Sequence, residues 1–318
     1  AEKLFLNEAY TAPLYQVGSS FLQKSGVKNI VRYTYGSPAS YKWADVDKAN
    51  KELNLTLAGD IPSLNISKAS DMDSFHMLTN TMEGLTTVDA KGVATPAMAE
   101  SWEQSEDGKT WTFKIRKNAK WSNGDPVTAK DFEYSWKRTL NPETASQYGY
   151  VMYDIEGASD YNNGKVDNAD NVGVKALDDN TLQVKLNRRV NYFDQLMSFC
   201  VFFPQNQKFV EAQGDKNGTT AENTVYNGPF TMSTWKMDDI VVLSKNDNYW
   251  DKDSVKLNTI NFKVVKDSNA RINLYESNEI DVVGLTSEHV DKYKDSKEFM
   301  TTKKAETYFL MLNNKGNK

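Results

Sequence analysis

The stretch MAESWEQSEDGKTWTFKIRKNAKWSNGDPVTAKDFEYSWKR, residues 98–138, carries three kinds of local instruction in 41 residues. Within KTWTFKIRK, Trp111, Phe113 and Ile115 alternate with Thr112, Lys114 and Arg116, the period of a half-buried strand. Asp107-Gly108 stands directly before it, a pair suited to a tight turn. SNGDP at 122–126 then breaks the chain, and Thr128 with Asp131 three residues on has the spacing of a capping box. The helix it opens, AKDFEYSWKR, places Phe132 and Trp136 one turn apart on one face. Turn, strand, turn and helix therefore follow one another without a long apolar run.

The same grammar recurs on both sides. VGVKAL and LQVKL flank Asp178–Thr181, and PFTMSTW and IVVLSK flank Asp238-Asp239, so both pairs read as hairpins. LNTINFKVVKD adds a further strand, and Leu53, Leu55 and Leu57 alternate as another. Helices are expected over residues 1–9, around SNARINLYES, and over TSEHVDKYK with Thr286 at its N-cap. The fold class is α/β, mixed and strand-rich, and built from hairpins rather than a strictly alternating parallel sheet.

Composition excludes several functions. The chain has 318 residues, enough for two compact units. Its net charge of -5 is modest and its Lys and Arg are dispersed, so nucleic acid is not an expected partner. No run of about 18 apolar residues is present to span a membrane. The opening AEKLFLNEAY shows neither a charged n-region nor an apolar h-region, and an export signal is expected to have been removed. The single cysteine, Cys200, lies in the apolar run SFCVFFP and reads as a buried thiol.

Catalytic and metal-binding patterns are thin. The two histidines, His76 and His289, have no second His or Cys at ligand spacing and are expected at the surface or in caps. No phosphate-cradling loop, dinucleotide fingerprint or nucleophile elbow occurs, so no cofactor, metal or enzymatic turnover is expected. Acidic pairs such as Asp71/Asp73 and Asp178/Asp179 leave a glycan-active enzyme as an alternative. What is over-supplied is aromatic residues beside turns: YNGPF at 226–230, NDNYW at 246–250, APLYQVG at 12–18 and SQYGYVMY at 146–153. Most such rings serve packing, and the remainder suit a binding wall.

Residues 98–138 resemble the signature of the oligopeptide-binding solute receptors of ABC importers, a cluster that also holds dipeptide- and nickel-binding members. GDIPSLNISKASDMDSFHMLTNTMEGL at 59–85, GVKALDDNTLQVKL at 173–186, VYNGPFTMSTW, NDNYWD and NLYESNEIDVV at 273–283 extend the resemblance over nearly all of residues 50–316. It implies a periplasmic-binding-protein-like lobe with a smaller inserted α+β domain, the main domain from 1–84 and 206–318 and the insertion from 85–205. It also implies an extracytoplasmic location, cell-surface lipoprotein or periplasm, with an oligopeptide ligand, an ABC importer permease as partner and a monomeric state. Other solutes of the wider cluster, a dipeptide, metal chelate or sugar, remain alternatives.

Carried over motif by motif, Ser70, Asp71 and Met72 fall on a strand-like segment offering backbone groups to the peptide. Tyr226, Asn227, Tyr249 and Tyr15 fall on ligand-facing positions, and Tyr148 and Phe199 belong to the insertion's contribution. Asn227-Gly228 before a strand suggests positive φ. Residues 1–43 resemble the family's last segment, here placed first, and ETYFLMLNNKGNK at 306–318 resembles its crossover to a second lobe. The charged, featureless tract Asp45–Lys51 then reads as the join of an engineered, circularly permuted single lobe, with a natural rearrangement as the alternative.

Overall fold

The computed structural model describes residues 11–34, 37–89 and 91–311, so the helix expected over 1–9 lies outside the described residues. Leu53, Leu55 and Leu57 form the inward face of strand Glu52–Leu57, and all three are buried. That strand runs parallel to Thr259–Val264, with Leu53 opposite Ile260 and Leu55 opposite Phe262. Thr259–Val264 in turn pairs antiparallel with Ile240–Lys245, and the hairpin partner Phe230–Lys236 completes a four-stranded sheet. Asp238 turns that hairpin with φ of 55°, a conformation Asp tolerates better than most residues.

The second sheet is wholly antiparallel, in the order Val174–Asp178, Thr181–Lys185, Thr110–Ile115 and Ala99–Gln104. The alternation of Trp111, Phe113 and Ile115 is realised as three buried side chains. Helix Ala129–Leu140 packs on this sheet through Phe132, Trp136 and Leu140, and its capping box forms as expected: Thr128 N–H donates to Asp131 Oδ2 at 2.7 Å. Helix Met72–Thr81 begins at Asp71, whose carboxylate accepts from Ser74 N–H at 2.9 Å. Ser70–Met72 is therefore not a strand. Met72 is already the first helical residue, because Asp71 gives the helix a better start than a ladder would give the same amides.

A third sheet places Thr11–Gln23 between Val282–Leu285 and Phe299–Met311. The two 13-residue strands form a ribbon whose outer half leaves Leu14, Tyr15, Tyr308, Phe309, Leu310 and Met311 exposed. The tract Asp45–Lys51 is not featureless. Asp45–Val46 pairs with Val27–Lys28, Val46 is buried, and Lys51 Nζ donates to Asp45 Oδ1 and the Val46 carbonyl. The local charges that suggested a loose tract are used to fold it back on itself.

Candidate functional site

An apolar-walled cleft of about 410 Å3 opens beside helix Met72–Thr81. Helix Met72–Thr81 supplies Phe75 and Thr79 one turn apart, and the chain leaving it supplies Met82, Glu83 and Gly84. Tyr148, Tyr150 and Val151 face them from one loop, and Leu196, Phe199, Cys200 and Phe203 from another. Arg32, Ser37 and Lys42, from the segment before the first long inner strand, close the remaining side.

The cleft wall is an aromatic cluster. Phe75 meets Tyr148 at 5.2 Å between centroids and Phe199 at 5.4 Å, both nearly edge-on, and Tyr148 meets Phe199 at 5.9 Å. Edge-to-face geometry puts positive ring edges against negative faces and rigidifies the wall. Burial pushes the Tyr148 phenol and the Cys200 thiol above their ordinary ranges, so both stay protonated at neutral pH. Cys200 is a buried, inert thiol, as expected.

Beneath the cleft lies a buried charge network that the sequence did not reveal. Glu83 accepts from the Tyr249 hydroxyl and from Trp250 Nε1 at 2.7 Å, and Lys42 Nζ stands 3.3 Å from Glu83 and 3.1 Å from Asp251. The Lys42 ammonium also lies 5.0 Å from the Trp250 ring, whose face is covered by Arg116 at 3.7 Å. Burial, with Glu83 beside it, holds the Tyr249 phenol far above its usual range. A buried acid-base pair hydrogen-bonded on all sides fixes geometry more than it adds net stability.

This network changes the placing of several expected ligand residues. Asn227 is fully buried, its side chain accepting from Glu83 N–H at 3.0 Å and donating to the Glu83 carbonyl at 2.9 Å. Tyr249 is buried against the Glu83 carboxylate, and Tyr226 is buried with its hydroxyl donating to the Ala221 carbonyl at 3.0 Å. None of the three lines the cleft; each supports the frame behind it. Tyr15 stands on the ribbon, 57% exposed and stacked on Tyr308 at 5.1 Å. Tyr148 and Phe199 do line the cleft, and Asp71 and Met72 stand at the head of the helix that carries Phe75.

Neither Asn227 nor Gly228 has positive φ; a Cβ at Gly228 would instead lie 2.6 Å from Met82 N and Thr81 C. His289 fits its capping expectation, with Nδ1 2.7 Å from Thr286 Oγ1. His76 does not. It is buried against Phe262, bonded to the Tyr41 hydroxyl at 3.0 Å, and burial pulls its imidazole down to about 4. Among the described residues no group of three or more His, Cys, Asp or Glu could hold a metal ion.

A family model described as bacterial extracellular solute-binding proteins, family 5 middle, matches residues 93–318. The chain is 42% identical over 238 residues to the oligopeptide-binding protein OppA of Bacillus subtilis (strain 168), covering 75% of this chain and 44% of that protein. It is likewise 42% identical over 240 residues to the dipeptide-binding protein DppE of the same organism, covering 76% and 44%. The crystal structure of an oligopeptide ABC transporter substrate-binding domain from Bacillus anthracis strain Ames shares 47% identity at a TM-score of 0.76, covering 79% of this chain and 48% of that one. The chain thus spans about half the length of the curated relatives it matches.

Proposed function

The chain belongs to family 5 of the bacterial extracellular solute-binding proteins, and on that premise we propose that it forms one wall of an extracytoplasmic oligopeptide site serving ABC-type import. The observation that carries this is the cleft: a concave, aromatic-walled space set on a buried, hydrogen-bonded frame. The residues of this reading are Phe75, Tyr148 and Phe199 at the wall, Asp71 and Met72 at the helix head, and Tyr15 on the ribbon. Asn227 and Tyr249 act from behind, through the chain turn at Glu83, and Tyr226 is held apart from them by the Ala221 carbonyl. Binding occurs without turnover, as befits a solute-binding family. The same reading gives the receptor an extracytoplasmic location, at the cell surface or in the periplasm, with a permease as its partner.

The exposure of the junction is what supports the permuted reading. Residues 47, 49 and 50 are exposed, while Lys51 and Asn50 carbonyls accept from Asn258, so the junction lies on the surface between two well-anchored flanks. Exposed, closely spaced ends are where permutation is tolerated. The body from 1–84 and 206–318, with 85–205 inserted, is our division of the lobe.

A peptide held by this chain alone keeps one face in water. It loses its conformational freedom in full but gains only part of the contacts of an enclosed site. Calorimetric titration with a peptide mixture is expected to give dissociation constants of about millimolar. Submicromolar binding would overturn the one-wall reading. The equal identity to a dipeptide-binding relative favours a second reading, a dipeptide receptor, and mass spectrometry of ligand extracted from the purified chain separates the two by length.

A further inference from the structure

The cleft carries chemistry that selects its guest, and this inference rests on the peptide-site reading just given while adding which side chain the site takes. Its wall is the edge-to-face cluster of Phe75, Tyr148 and Phe199. Its inner charges are engaged within the protein. Lys42 faces Glu83 and Asp251, Arg32 donates to Gln23 at 2.7 Å with its guanidinium over Phe21, and the Asp89 carboxylate accepts from the Lys91 and Val93 amides. Lys91 alone is exposed, at the solvent side. A charged guest entering this space would shed its hydration and find Lys42 already ion-paired and Arg32 and Asp89 already hydrogen-bonded to neutral groups.

Among the described residues, one polar group lining the cleft has no partner. Ser37 is only 8% exposed, and its Oγ has no hydrogen-bond partner among the described residues. A buried hydroxyl left unpaired is costly, and a guest with one polar tip on an apolar body would relieve it. We propose that the cleft is a selective subsite for an uncharged aromatic side chain of a bound peptide, with the Phe75, Tyr148 and Phe199 rings packing on its faces and Ser37 meeting a phenol or indole tip. Long aliphatic side chains rank second, having the body without the tip. Lysine and glutamate side chains rank last.

Titration of the full chain followed by protein NMR tests this with four probes: N-acetyl-tryptophanamide, N-acetyl-leucinamide, N-acetyl-lysinamide and N-acetyl-glutamic acid amide. The tryptophan probe is expected to bind saturably and roughly ten-fold tighter than the lysine probe, with leucine between. Phe199→Ala should weaken the tryptophan probe several-fold. Phe199→Leu, which keeps the bulk, guards against a folding defect and should weaken it less, and Ser37→Ala should narrow the gap between tryptophan and leucine. Equal affinity for tryptophan and lysine probes, or indifference to both Phe199 variants, would overturn the subsite. The receptor reading is separated by adding alanine tetrapeptides with and without one tryptophan. Probe binding with no peptide binding would keep the subsite and remove the receptor, whereas peptide binding indifferent to tryptophan would remove the subsite and keep the receptor.

Discussion

Gly228 is required by contact. A side chain there would press on the backbone of Thr81 and Met82, where the helix ends and the chain turns toward Glu83, and the Gly228 amide already donates to the Thr81 carbonyl at 2.9 Å. Backbone cannot give way as a flexible side chain can. Gly228→Val should cost about 2 kcal/mol or more by overpacking, and Gly228→Ala should cost a large part of that. Gly124→Ala, at φ of 94° with open space around it, should cost only the conformational strain of about 1 kcal/mol. Chemical denaturation of the three variants checks the ranking; a silent Gly228→Ala would refute close approach. Asp131 yields a pH prediction. Burial pushes its carboxyl up to about 6 against the hydrogen bonds from Thr128. The folded state therefore holds this proton more tightly than the unfolded chain does, and the stability so gained, complete below the ordinary value of 3.8, is lost as pH rises through about 6. Against Asp131→Asn, the wild-type advantage should fall by about 2–3 kcal/mol between about pH 4 and pH 8. A flat difference would mean that the carboxyl is ordinary. At this scale the sequence showed which residues were special more readily than why. YNGPF and NDNYW were legible as unusual, but rings beside turns look alike in a core and in a pocket wall. Glu83, 166 residues away from its partner Tyr249, decided between them.

Elements with one wet and one dry face were the most legible. Strands Glu52–Leu57 and Thr110–Ile115, the two hairpins and helix Ala129–Leu140 all announce themselves by period, since burial on one side imposes alternation or a helical stripe. The ribbon could not be read this way. Its outer half is exposed on both faces, so no pattern distinguishes in from out. Its physical consequence is specific. Thr11–Ser19 has a partner on one edge only among the described residues, because Val282–Leu285 reaches no further than Ser20, and six large apolar side chains stand in water beside it. Unpaired edges with apolar side chains recruit other strands. We expect the chain to be monomeric at low micromolar concentration and to associate reversibly as concentration rises. Sedimentation velocity on Leu310→Lys and Tyr308→Lys variants should show that association reduced, with folding unchanged, since neither residue touches the core. If both variants associate as the parent does, the ribbon is not the contact.

The molecule as a whole is joined more firmly than its chain topology suggests. The insertion proposed for 85–205 contributes its own sheet, yet one apolar cluster runs without interruption from Leu53 and Phe262 in the first sheet through Phe75 and Met82 to Phe113, Trp136 and Phe202. A polar seam lies alongside it. Gln205 Nε2 donates to Ser67 and Ser135 at 2.9 Å, Ser67 and Thr139 hydroxyls lie 2.8 Å apart, and all four residues are buried. Separating the two parts would strand these groups as well as open the apolar contact, so neither part has a low-energy way to unfold while the other stays intact. A single calorimetric transition is therefore expected, with van't Hoff and calorimetric enthalpies in agreement. Gln205→Ala should lower its midpoint by leaving Ser67 and Ser135 poorly satisfied, without splitting it. The small cluster of Leu22, Ile272, Tyr275, Ile280 and Val283 is separate from the main core, and it anchors the base of the ribbon. Hydrogen exchange should accordingly find the ribbon amides of Phe299–Met311 opening well before those of Thr110–Ile115, which exchange only on global unfolding. Two resolved heat-capacity peaks, one assignable to residues 85–205, would show instead that the insertion folds by itself and that the shared core is a contact between domains rather than the centre of one.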